Sequence, residues 1–242
     1  MFDFIQPFIT RVDDCTVRVS AQQGCDFAKQ IAGDFNPIHD HDSKRFCVPG
    51  DLLFVESVRR LGLYQSMHFD FLDMLSADVN VVVPSQKNVG QHSLTNTQGK
   101  PLVGIDIKGK PFNNQQLAAQ FAQDYVKFSA KSFPDILAPL MKQHKVMINP
   151  LRPLIIYKSM SFHIDDPTAT SIQLKLDTHE LEVLGKRGYA RFRFNLSSAG
   201  KNIGHGEKKL ILSGLREYQE ESMNALTATY LAKKNQYILN IA

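Results

Sequence analysis

The chain has 242 residues, is 43% hydrophobic and 21% charged, and carries a formal net charge of +4. That is enough chain for a sizeable core and an ordinary globular composition, which excludes fibrous and low-complexity classes. No apolar stretch reaches membrane-spanning length, and the three cysteines (Cys15, Cys25, Cys47) are odd in number and lack metal-ligand spacing, which points to a reducing compartment rather than a disulfide framework.

The start, Met1-Phe2-Asp3-Phe4, lacks the basic region that precedes a signal peptide's apolar run, so the expectation is a cytoplasmic protein with no membrane partner. Positive residues are scattered, with small clusters at Lys186-Arg187, Lys208-Lys209 and Lys233-Lys234. These read as solvated surface lysines and arginines. No zinc-finger or helix-turn-helix signature accompanies them, so a nucleic-acid partner is disfavoured.

In chain order, Thr16 to Ser20 alternates as a short strand. Ser20-x-x-Gln23 fits a capping box, and Phe27, Ala28, Ile31 and Ala32 recur at helical spacing up to Gly33, which is placed to end that helix. The turn Asp34-Phe35-Asn36-Pro37-Ile38-His39 follows. From Asp51 to Leu63, Leu52, Leu53, Phe54, Val55, Val58 and Leu61 cover most of a helix surface, so this helix is expected to be enclosed by other structure. Next come strands at His68 to Phe71, Asp78 to Val83, Gln91 to Asn96 and Leu102 to Lys108, with a hairpin turn at Thr97 to Lys100. Their connections are too short for crossover helices, so they are antiparallel.

The helical period returns at Asn114, with Leu117, Phe121, Tyr125 and Phe128 forming a core stripe, and again near Ile136 to His144. Strands resume at Leu154 to Asp165, Ser171 to Glu182, Gly188 to Ser197 and Lys208 to Leu215. Gly204-His205-Gly206 reads as a turn, and a helical tail spans about Glu217 to Tyr237. The element order repeats over about 110 residues, helices then strands twice, without repeated identity. This predicts an α+β chain of two modules, 1–112 and 113–242, dividing where Gly, Lys, Pro and Asn cluster at Gly109 to Asn114.

Chemistry concentrates at Asp34 and His39. A carboxylate and an imidazole can share one water, one taking a proton and the other delivering one. Pro37 fixes its own φ and biases Asn36 to an extended conformation, while the Asn36 side chain can hold the turn. Phe35 and Ile38 would exclude bulk water. Gly50 opens the buried helix, where free N–H groups suit a developing oxyanion and glycine lets a ligand approach the backbone. His39-Asp40-His41-Asp42 is a weak metal signal, because adjacent residues rarely all face one ion, so no metal is expected. Cys47 reads as a buried thiol rather than a nucleophile. His163, His179 and His205 read as structural.

The string Ala32-Gly33-Asp34-Phe35-Asn36-Pro37-Ile38-His39, with Asp40, Asp42 and a Gly-led apolar helix after it, resembles the MaoC-like dehydratase family of hot-dog-fold proteins, which includes (R)-specific enoyl-CoA hydratases. The motif spans about Phe27 to Leu63, and the whole chain resembles a proteobacterial family of no assigned activity that carries the same string.

The resemblance implies a hot-dog fold, here a double hot dog, with the buried helix wrapped by an antiparallel sheet. It implies Asp34 and His39 as the catalytic pair and Gly50 as the N–H donor to the thioester carbonyl; Asn36, Phe35 and Ile38, on the same turn, are expected to bind substrate with Gly50. The substrate would be a 2-enoyl thioester of coenzyme A or acyl carrier protein, hydrated without a cofactor, and a homodimer is compatible with it. The family usually has His-Gly at the head of the helix where this chain has Pro49-Gly50, and an apolar residue where it has Asp51. An acid there would repel an enolate-like transition state unless it points away or is protonated. The second half has no matching string, so one active site is expected, with that half shaping the acyl tunnel. Two other readings are a non-catalytic acyl-thioester or lipid-binding module and an acyl-CoA thioesterase.

Overall fold

The computed structural model describes residues 2–241. In chain order the strands and helices are β1 (Thr10–Arg11), β2 (Thr16–Arg18), α1 (Ala21–Asp26), α2 (Gly50–Leu61), β3 (Tyr64–Phe71), β4 (Asn80–Val82), β5 (Gly90–Asn96) and β6 (Pro101–Pro111). There follow α3 (Gln115–Ala130), α4 (Leu137–Gln143), β7 (Val146–Met147), β8 (Ile155–Ile164), β9 (Gln173–Leu184), β10 (Arg187–Ser198), β11 (Lys201–Ser213), β12 (Arg216–Glu217) and α5 (Glu220–Ile241).

Ten strands form one sheet in the order β1-β2-β4-β5-β6-β3-β8-β11-β10-β9, and β7 and β12 pair separately. Every pairing is antiparallel, including β3 with β8, where Phe69 faces Met160 and Met67 faces Phe162. That one pairing joins strands from before Phe112 to strands from after Pro153.

α2 and α3 lie side by side under the sheet. Leu52, Phe54, Val55, Val58 and Leu61 of α2 are fully buried, as are Phe121, Ala122, Tyr125 and Val126 of α3. The Phe54 ring sits 4.9 Å from that of Tyr125 and 5.2 Å from that of Phe69, while Phe121 meets Phe162 at 4.9 Å. Each such side chain contributes on the order of 2 kcal/mol by leaving water. Two buried helices wrapped by one antiparallel sheet make the fold an α+β double hot dog.

Local chemistry explains the element ends. The Ser20 hydroxyl accepts from Gln23 N–H at 3.1 Å and the Gln23 side chain accepts from Ser20 N–H at 3.0 Å, a complete capping box. Asn114 accepts from the N–H groups of Gln116 and Leu117 at the head of α3. Pro139 lies in the first turn of α4, where a missing N–H is tolerated.

One expectation is refined and one fails. The helix expected through Phe27 to Ala32 is present and ends at Gly33 as expected, with φ +72°, but it continues α1 in the wider π form, and Asp34 N–H donates to Ala28 C=O at 2.8 Å. Gly204-His205-Gly206 is not a turn but the middle of β11, paired to Phe194 to Leu196 on one side and Phe162 to Ile164 on the other. The glycines are there for closeness: a Cβ on Gly206 would stand 2.1 Å from the Phe194 ring and one on Gly204 2.0 Å from His163 O. Among the described residues, no helix is long and apolar enough to cross a membrane.

Candidate active site

A cavity of about 360 Å³ opens where the Asp34 to His39 turn, the head of α2, the end of α3, β8, β11 and α5 converge. Asp34, Phe35, Asn36, Ile38, His39 and Gly50 all line it, so the six residues singled out from sequence meet at one place. Asn36 caps a short 3-10 turn at Pro37–His39, its side chain accepting from Ile38 N–H at 3.2 Å, while Ile38 C=O accepts from Cys47 N–H at 3.0 Å.

The turn aims the acid and the imidazole. Asp34 Oδ1 accepts from Asn36 N–H at 2.9 Å and from the Tyr230 hydroxyl at 3.4 Å. His39 Nδ1 lies 2.7 Å from Cys47 C=O. A carbonyl only accepts, so Nδ1 carries a proton, and in the neutral tautomer this selects, the lone pair is on Nε2. That Nε2 faces Asp34 Oδ2 at 3.9 Å, with the side chains 14% and 28% exposed. The gap exceeds a direct hydrogen bond and suits one shared water.

Gly50 begins α2 behind Pro49, which supplies no side-chain cap. The first helix N–H groups to find a carbonyl are those of Leu52 and Leu53, both to Pro49, and the N–H groups of Gly50 and Asp51 precede them without an intrahelical partner. A Cβ at Gly50 would lie 3.1 Å from the rings of both Phe71 and Tyr157, so a larger residue would crowd the wall.

Asp51 neither caps the helix nor points away. Its Oδ1 accepts from the Ser129 hydroxyl at 3.0 Å, and it lines the cavity. Burial pushes its carboxyl up to about 6, against the pull of Lys208 and the Ser129 hydrogen bond. Lys208, read as a surface lysine, is 5% exposed and lines the same cavity. Its ammonium donates to Ser129 C=O at 2.8 Å, to Ser129 Oγ at 2.6 Å and to Ser132 Oγ at 3.2 Å, and stands 4.6 Å over the Tyr157 ring. Burial lowers its proton affinity, and the carboxylates of Asp51 and Asp34 oppose that. Tyr157 and Tyr125 share a hydrogen bond, and burial raises both phenols.

Sequence reasoning missed Ser129, Lys208, Tyr157 and Tyr230. A signal existed for Lys208: strand alternation read backward from Leu212 and Leu210 puts it on the inward face. Tyr230 had none, because only tertiary docking of α5 brings it in. Its hydroxyl also accepts from Phe35 N–H at 3.2 Å, and the Phe35 ring packs on Tyr230 and Tyr237.

The remaining candidates have structural partners. Burial works against the charge of Asp40, but hydrogen bonds from Lys233 and Lys29 outweigh it and hold the carboxyl below its ordinary value. Burial pushes the Cys47 thiol up to about 11, which removes thiolate character. His163, read as structural, sits 3.2 Å from Asp165. Among the described residues, no three of His, Cys, Asp and Glu are grouped to hold a metal.

Three solved structures illustrate what the chain is similar to. Acyl-CoA thioesterase II TesB2 from Mycobacterium marinum is 10% identical, over 90% of this chain and 99% of that one, at TM-score 0.44. A conserved protein of unknown function with hot dog fold from Alicyclobacillus acidocaldarius is 10% identical over 87% and 98%, at TM-score 0.43. A MaoC-like dehydratase from Phytophthora capsici is 13% identical over 80% and 93%, at TM-score 0.36. No curated protein matches the chain. The family to which it belongs is the one described as "Protein of unknown function (DUF3581)", whose model matches residues 3–221 and so takes in both halves of the sheet and the Asp34–His39 turn but only the first two residues of α5.

Proposed function

We propose that the protein is a MaoC-like hydratase or dehydratase acting on an acyl thioester, a 2-enoyl group carried on coenzyme A or acyl carrier protein. The observation that carries this reading is the 3.9 Å gap between His39 Nε2 and Asp34 Oδ2, facing a mainly apolar cavity beside the open N-terminus of α2. A water held in that gap is bonded to the acid and the imidazole at once. Its oxygen bonds to the β-carbon of the enoyl group while one of its protons passes to the pair. The pair returns a proton to the α-carbon, so the elements of one water are added. Charge that builds on the thioester oxygen meets the Gly50 N–H. Asn36 orients Asp34, and Phe35 and Ile38 keep the turn dry. Dehydration is the same path reversed.

In the same reading the chain is two modules, 1–112 and 113–242, with the pair in the first and much of the acyl wall from the second, including Leu137, Ile155 and Leu210. The test is hydration of crotonyl-CoA and longer enoyl-CoA esters, followed by loss of enoyl absorbance and by thiol release. Wild type is expected to hydrate without releasing thiol, and Asp34→Asn and His39→Ala to lose at least about a hundredfold in kcat, the typical worth of a positioned acid or base. Equal rates in all three proteins would refute the roles given to the pair, and thiol release would assign thioester hydrolysis instead.

A further inference from the structure

The polar corner formed by Asp51, Ser129, Ser132 and Lys208 takes no part in the hydration steps, yet it lines the same cavity. Its floor is deeper than the pair, with Ser129 1% and Lys208 5% exposed, while Asp51 is half-buried and borders the open space. Its hydrogen bonds can be accounted for proton by proton. All three ammonium protons of Lys208 are used, on Ser129 C=O, Ser129 Oγ and Ser132 Oγ. The Ser129 hydroxyl donates to Asp51 Oδ1 and the Ser132 hydroxyl to Ser129 C=O at 2.7 Å. Tyr125 and Tyr157 hydrogen-bond to each other beside the corner.

Every donor of Lys208, Ser129 and Ser132 is therefore engaged inside the corner. One acceptor is not: among the described residues, Ser129 is the only hydrogen-bond donor to the Asp51 carboxyl. Its second oxygen is left to whatever fills the cavity. A plain alkyl chain pressed there would strip it of water and replace the water with nothing, which is costly for a charged oxygen. A cation would meet Lys208 close by. A neutral group with a proton to donate fits both constraints.

We propose that Asp51 is a specificity-determining residue that receives a hydroxyl carried on the acyl chain, so that the pocket prefers a hydroxylated acyl thioester over a plain alkyl one of equal length. The acyl chain is the part that reaches Asp51, because the carrier must run out to solvent while Asp51 stands against the deeply buried Ser129. This inference rests on the acyl-thioester reading above.

The experiment is isothermal titration of the full chain with non-reactive coenzyme A thioethers: S-alkyl compounds of several lengths, each with isomers bearing one hydroxyl at successive carbons. Binding of these needs no catalysis. At least one hydroxylated isomer is expected to bind wild type about tenfold or more tighter than its alkyl counterpart, as a hydrogen bond to a charged group would give. Asp51→Ala, checked for cooperative unfolding, is expected to bring the pair within twofold. If no hydroxylated isomer binds wild type tighter than the alkyl one, the inference is overturned whatever the variant does. If no thioether binds at all, the acyl-thioester reading falls, and this inference with it.

Discussion

Tyr230 and Asp34, 196 positions apart in the chain, meet at 3.4 Å across the mouth of the cavity. The same phenol accepts from Phe35 N–H at 3.2 Å, so one hydroxyl holds both the acid and the backbone next to it. Tyr230→Phe leaves the ring contacts with Phe35 and Phe133 in place and removes only the oxygen. The expected result is a loss of about 1 kcal/mol in stability and a several-fold fall in kcat for enoyl hydration with KM little changed. Denaturant unfolding and steady-state kinetics read the two effects. An unchanged kcat would mean that Asp34 is held well enough by Asn36 alone.

Asp51 should leave a signature in stability against pH. Its carboxyl is about 6 in the folded protein against an ordinary value of 3.8. The folded state therefore binds more protons than the unfolded state between those values, and stability falls as pH rises through that window. The penalty is absent below about pH 3.8, is complete above about pH 6, and amounts to roughly 3 kcal/mol. Asp51→Asn removes the titration. The difference in unfolding free energy between this variant and wild type should shift in favour of the variant from pH 4 to pH 6.5, and a difference constant over that range would contradict the raised acid.

Lys208→Met tests the same corner from the other side. The two charges are joined through the Ser129 hydroxyl, so this variant leaves the Asp51 carboxyl without the cation that acts on it across Ser129, at an expected cost of about 3 kcal/mol, the low end for stranding a charge in a protein interior. Adding Asp51→Leu removes the stranded charge, so the double variant should recover at least half of the loss. A double-mutant cycle by urea unfolding measures this. Strictly additive losses would show that the two charges do not interact.

Gly206→Ala is the sharpest test of the fold. The added methyl would stand 2.1 Å from the Phe194 ring and 2.7 Å from Ser161 O, and an aromatic ring packed in the core has no room to withdraw. The expected cost is about 3 kcal/mol, near the upper end for overpacking. Gly200→Ala, at a hairpin turn with open space around it but φ +77°, should cost about 1 kcal/mol from backbone strain alone. Thermal unfolding of both variants gives the comparison, and equal losses would argue against the close approach of β11 to β10.

Much of the fold is legible in the residues because local rules and tertiary packing agree. The alternation of Val103, Ile105 and Ile107 in β6, and of Phe192, Phe194 and Leu196 in β10, marks the faces that are buried. The Ser20 to Gln23 capping box marks a helix start, and the apolar surface of α2 marks a helix with no exposed side. The turn carrying Asp34 and His39 is legible for the same reason: Asn36-Pro37 fixes its geometry locally. What is hidden depends on distance along the chain or on a conflict between residue type and place. Lys208 is a lysine on an inward strand position, so its type argues for surface while its register argues for core. Gly204 and Gly206 carry turn chemistry but serve close packing. Tyr230 lies on a helix whose own pattern is weak and whose place is set by Phe35, Phe133 and Asp40.

That placement of α5 has a consequence for how the molecule is made. The turn carrying Asp34 and His39 is synthesised early, but Tyr230 and Lys233 reach it only after both halves of the sheet have left the ribosome. Contacts of such separation are entropically late to form. The scaffold can therefore close around α2 and α3 first, and the site gains its covering helix as a final docking event. A nascent or clipped chain without α5 would leave the apolar Phe35 face open to water, a target for chaperones rather than for substrate.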